Sequence, residues 1–96
     1  MIEIKILDQT CKAVNKLYGH EVDPSSISLE NTKKEIEGDF TIVVFPLLKI
    51  SKKSPEATAN DIGAFLKEHM QEVSGFHVIK GFLNVILSDQ FWLNFL

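Results

Sequence analysis

The stretch Lys80-Gly81-Phe82-Leu83-Asn84-Val85-Ile86-Leu87-Ser88 decides how this chain folds. Leu83, Val85 and Leu87 alternate with Phe82, Asn84 and Ile86, and an extended strand sends alternate side chains to opposite faces. One face is purely aliphatic and reads as the side turned to a core. The other carries an aromatic ring and a carboxamide two residues apart, just after a glycine. Phe82 and Asn84 are not needed to fill a core. An aromatic ring beside an amide on an open sheet face gives an unstacked nucleotide base a surface to stack on and an edge to read it.

Upstream of this strand, Gly75 opens a partner strand near 76–80. Before that, Ser54-Pro55-Glu56 is a helix start: serine as cap, proline at the first position, an acid in the first turn. The helix runs over 55–70 with Ala59, Ile62, Phe65, Leu66 and Met70 inward, and Gly63 weakens it by up to ~1 kcal/mol relative to alanine. Phe40–Phe45 is β-branched and aromatic and reads as a strand buried on both faces. Pro46 ends it and begins a short helix through Lys52. Ser28–Thr32 is a short strand, and residues 33–39 form a polar connection with a turn at Gly38-Asp39. Residues 2–18 read as a helix with Ile4, Leu7, Cys11, Val14 and Tyr18 as its apolar stripe, stopped by Gly19. Turn chemistry fills 20–26. The order helix, two strands, helix, two strands, then a helical tail predicts an α+β fold. Its two layers are a mainly antiparallel four-stranded sheet and helices on one face.

At 96 residues one small domain is expected. No apolar run approaches the roughly 20 residues of a membrane span, and the N-terminus lacks a signal-peptide layout. A single cysteine, Cys11, suits a reducing cytosol and reads as a buried, inert thiol. The net charge of −3 counts against tight non-specific nucleic-acid binding. All ten basic residues are lysines, so bidentate guanidinium readout of guanine or phosphate is ruled out. Any RNA contact is therefore a modest, local grip. The close of the chain, residues 89–96, is rich in large apolar residues and reads as the start of a helix leading into a further domain.

Gly38-Asp39-Phe40, the lysine-rich Leu48–Ile62 segment with its Ser-Pro, and Gly81-Phe82-Leu83-Asn84 before an apolar strand carry a family resemblance. In this order and spacing the chain resembles the N-terminal additional domain of arginyl-tRNA synthetases, over most of its length. The resemblance implies residues 1–88 as a tRNA-binding domain, with 89–96 leading to an absent catalytic domain. It implies a cytoplasmic, monomeric accessory piece that performs no catalysis and binds no cofactor or metal. Its partners would be the D-loop of arginine tRNA and the remaining domains of the same enzyme. The parent enzyme would use ATP to join arginine to its tRNA.

The resemblance makes Phe82 the stacking surface and Asn84 the hydrogen-bonding partner of a D-loop base. Lys80 adjoins that pair. Lys49, Lys52 and Lys53 are either phosphate contacts or a plain solvated basic segment. The Lys49–Lys53 segment also resembles the ATP-holding signature loop of class I synthetases. That identification fails, because the chain has no dinucleotide-type glycine fingerprint and no His-x-Gly-His pattern. The dispersed histidines argue against zinc, and Ser51, Ser54 and Cys11 lack any recognisable base or oxyanion context for covalent catalysis. Two other classes stay open: an interdomain docking module without RNA contact, and a general single-strand RNA reader. The latter calls for more aromatics and a basic groove.

Overall fold

The computed structural model describes residues 2–32 and 38–89. The elements follow in the order α1 (Ile2–Tyr18), β1 (Ser28–Asn31), β2 (Phe40–Val43), α2 (Leu48–Ser51), α3 (Pro55–His69), β3 (Val73–Ile79) and β4 (Phe82–Leu87). The strands form one antiparallel sheet in the order β1-β2-β4-β3. The predicted α+β architecture is the one observed. Residues 33–37 of the expected 33–39 connection and residues 90–96 of the expected 89–96 helix start lie outside the described residues.

Local chemistry explains the element boundaries. Gly19, at φ +67°, ends α1 and returns its amide to Asn15 O at 2.8 Å. Asp23 caps a one-turn 3-10 segment at Pro24–Ser26 by accepting from the Ser25 amide. Ser54 accepts from the Ala57 amide at 3.1 Å, and Pro55 follows as the first residue of α3. β2 is shorter than its sequence suggests. The backbone turns helical at Val44, and Phe45–Leu47 form a 3-10 turn running into α2. β3 begins earlier than expected, at Val73, because Gly75 sits inside the strand at a register irregularity rather than at its start.

The core lies between the sheet's aliphatic face and the helices. Ile42, Leu83 and Val85 from the sheet meet Ala59, Ile62 and Leu66 of α3 and Ile6, Ala13 and Val14 of α1, all fully buried. The buried face of α1 is rotated from the expected stripe. Ile4 is 64% exposed, and Thr10 takes a core place instead. Thr10 tolerates burial because its hydroxyl donates to Ile6 O at 2.7 Å, which removes the cost of an unpaired polar group. Cys11 is half-buried, and burial, followed by the charges of Asp8 and Asp23, raises its thiol pKa. A raised pKa leaves less nucleophilic thiolate.

Asp39 does more than make a turn. Its amide donates to Val85 O and its carboxylate accepts from the Leu87 amide, both at 2.8 Å. The β2–β4 pairing is thereby extended past the Phe40↔Val85 register pair.

Candidate nucleic-acid interface

The face of the sheet away from the helices carries the candidate site. β4 places Phe82 and Asn84 on that face, as strand alternation requires, while Leu83, Val85 and Leu87 are buried on the other. The register sets Thr41 and Val43 of β2 on one side of the pair and His77 and Ile79 of β3 on the other. Phe82 is 38% exposed and meets Phe45 edge to face, with centroids 5.5 Å apart. Phe45 is itself exposed, so two aromatic rings and Ile79 form an apolar ridge at one end of the sheet. Beside it lies a hollow of about 340 Å³ lined, among the described residues, by Glu30, Asn31, Thr41, Ile79, Lys80, Phe82 and Asn84.

Asn84 forms the deep end of this hollow and is 2% exposed. Its Oδ1 accepts from Thr41 Oγ1 at 2.6 Å, and that hydroxyl is paired with Thr32 Oγ1 at 2.9 Å. The amide Nδ2 is buried with no hydrogen-bond partner among the described residues. A buried donor left unmade costs about 1–3 kcal/mol, and an incoming acceptor would remove that cost. Gly38 leaves room over the side chain: a Cβ there would lie 3.1 Å from Asn84 Cβ. Contact with a ligand therefore requires the Asn84 side chain or its Gly38 cover to move.

The four lysines singled out by sequence fall into different settings. Lys80 is at the tip of the β3–β4 hairpin, where it and Gly81 have φ of 52° and 81°. Lys52 caps α2 with φ 56°, and Lys49 is exposed on α2 itself. Lys53 is already engaged: its Nζ is 2.8 Å from Asp61 Oδ2 and 5.9 Å from the centre of the Tyr18 ring. The hairpin tip meets the start of α3, because a Cβ on Gly81 would lie 2.7 Å from Pro55 Cβ and 3.3 Å from Phe45 Cζ. Lys80, Phe82 and Asn84 thus share one site, and Lys52 lies three residues before Pro55, which touches its hairpin tip. Thr41, Phe45 and Glu30 also belong to the site and were not singled out by sequence. For Thr41 a signal existed, since it is the one polar residue of the apolar run Phe40–Phe45.

A second hollow, about 450 Å³, lies between α1 and the following loop and is lined by Asp8, Cys11, Lys12, Asn15, Glu21, Val22 and Asp23. Among the described residues, no three His, Cys, Asp or Glu side chains are grouped to hold a metal ion, and no helix is long and apolar enough to cross a membrane.

Comparison with known proteins gives concordant matches. Residues 5–87 match the family described as arginyl tRNA synthetase N terminal domain. An arginine–tRNA ligase of Phocaeicola vulgatus is 47% identical over 96 residues, covering 99% of this chain and 16% of that protein. One from Porphyromonas gingivalis is 44% identical over 92 residues, covering 96% of this chain and 15% of that protein. The chain thus spans about a sixth of the length of such relatives. Among solved structures, Thermus thermophilus arginyl-tRNA synthetase superposes with a TM-score of 0.76 at 21% identity, over 98% of this chain and 15% of that one. At that identity the likeness speaks for the fold.

Proposed function

The chain belongs to the arginyl-tRNA synthetase N-terminal domain family, and from that premise we propose that residues 1–88 are the tRNA-gripping domain of an arginine–tRNA ligase. Residues 89–96 lead toward its catalytic part. The ligase joins arginine to its tRNA in the cytoplasm at the expense of ATP. This domain does none of that chemistry and binds the D-loop of the tRNA. One base stacks on Phe82, Asn84 offers its amide to the base edge, and lysines near the hairpin tip meet the backbone.

The observation that carries this reading is the Nδ2 of Asn84, buried and without a partner among the described residues, beside the half-open ring of Phe82. A base supplies both a π-face and acceptor atoms. The net charge of −3 makes the grip local, so affinity rests on few contacts.

NMR titration of the labelled chain with arginine tRNA and a non-cognate tRNA at low salt tests it. Shifts clustered on Phe82, Asn84 and Lys80, stronger with the arginine tRNA, are expected. Phe82→Ala should weaken binding by about one to two decades, the value of one stacked base. Equal shifts spread over all lysines would leave only charge attraction. A second reading, interdomain docking, draws on the exposed Phe45, Phe82 and Ile79 ridge. It gains if no tRNA shifts the spectrum.

A further inference from the structure

Among the described residues, two non-glycine residues have a positive φ, and both are lysines: Lys52 at 56° and Lys80 at 52°. Side chains other than glycine, asparagine and aspartate rarely adopt this left-handed conformation, because Cβ crowds the carbonyl oxygen. Each lysine also occupies a position with a well-defined preferred residue. Lys80 and Gly81 are the two connecting residues of the β3–β4 hairpin, both with positive φ, which is the type I′ pattern that favours Asn-Gly. Lys52 caps α2, with its amide returned to Leu48 O at 2.9 Å, where glycine is the favoured residue. Local folding chemistry therefore prefers asparagine and glycine at these sites.

The segments that carry the two lysines touch. The hairpin tip packs on Pro55 and Phe45 through Gly81, and Lys52 stands three residues before Pro55. The lysines thus lie on the two segments that meet beside the Phe45–Phe82 ridge. Both side chains are exposed, and neither ammonium has a hydrogen bond or ion pair among the described residues. Lys53, by contrast, is neutralised by Asp61.

We propose that Lys52 and Lys80 form a paired phosphate grip, held at a cost in backbone strain, that takes the RNA backbone on either side of the base stacked on Phe82. This rests on the tRNA reading above and assigns its backbone contacts to two lysines of the four. Lys53 is excluded by its ion pair, and Lys49 because it lies within α2 without the left-handed backbone of the other two.

The test uses Lys80→Asn and Lys52→Gly in the 96-residue chain, with Phe82→Ala alongside and an arginine tRNA transcript as probe. Each lysine variant should melt higher, by about 4 °C, because the strain is relieved. Each should bind the transcript more weakly, and the log–log salt slope should fall by about one unit per lysine. A higher melting point with unchanged binding and slope, while Phe82→Ala still weakens binding, would overturn the grip and leave the tRNA reading standing. A lower melting point would overturn the strain on which the grip is argued. Absence of binding by the unaltered chain would overturn the tRNA reading itself, and the grip with it.

Discussion

The amide of Leu87 donates to the carboxylate of Asp39 at 2.8 Å, across 48 residues of sequence. The contact fastens the loop before β2 to the end of β4, on the side of the sheet centre opposite the hairpin tip. Asp39→Ala leaves a part-buried amide without its partner and should cost about 1–2 kcal/mol. Asp39→Asn keeps an acceptor and should cost less. Hydrogen exchange at Leu87 checks this directly: its amide should exchange faster in the alanine variant, and equal protection in both variants would refute the contact's role.

Gly63 is expected from helix propensity alone to weaken α3, so that alanine should help. The ring of Phe76 reverses that expectation. A Cβ on Gly63 would lie 2.5 Å from Phe76 Cδ2 and 2.7 Å from its Cγ. Overpacking typically costs about 1–3 kcal/mol, against a propensity gain of at most ~1 kcal/mol. Gly63→Ala should therefore lower stability to urea. Combining it with Phe76→Leu should recover part of the loss, and a melting point above that of the unaltered chain would show that the ring moves aside freely.

Asn84 is buried with Nδ2 unpaired among the described residues, and leucine has a similar branched shape. Asn84→Leu removes an unmade hydrogen bond, and Thr41 keeps Thr32 as a partner. Stability should hold within about 1 kcal/mol or rise, while shifts induced by arginine tRNA weaken. A strongly destabilised variant would mean that the Thr41–Asn84 bond is a structural requirement.

Tyr18 is the chain's one tyrosine, so its ionisation can be read alone. Burial first, then the charge of Asp61 and a hydrogen bond to it, push the phenol up to about 12 from 10.0. The folded state then holds its proton more tightly than the unfolded chain. The stability it contributes is complete below pH 10 and is lost as pH rises from about 10 to about 12. Ultraviolet titration of tyrosinate should show the raised midpoint, and Asp61→Asn should bring it down. An unchanged midpoint in that variant would leave burial as the whole cause.

Elements with strong local punctuation were legible in the sequence. Ser54-Pro55 starts α3 and Gly19 stops α1, because caps and stops act within one turn of the backbone. The aliphatic alternation of β4 identified both its strand nature and its two faces. The buried side of α1 was less legible. Thr10 sits in the core only because its hydroxyl reaches Ile6 O, a local bond that hydrophobic periodicity does not register. The reach of β2 was overestimated for a related reason. Val44 and Phe45 have strand propensity, yet the chain turns at Val44 to seat Leu47 in the core.

The sequence by itself determined the α+β class, the four strands, the limits of α1 and α3, and the placing of Phe82 and Asn84 on one face. Each follows from periodicity or from chemistry between near neighbours. Only the tertiary structure decided what surrounds that face. It buried Asn84 under Gly38 and against Thr41, set Phe45 on Phe82, and turned Lys53 onto Asp61. It also brought the Lys52 segment and the Lys80 hairpin together at Pro55 and Gly81. These contacts join residues far apart in sequence, and their geometry is fixed by sheet register and helix packing rather than by any local pattern.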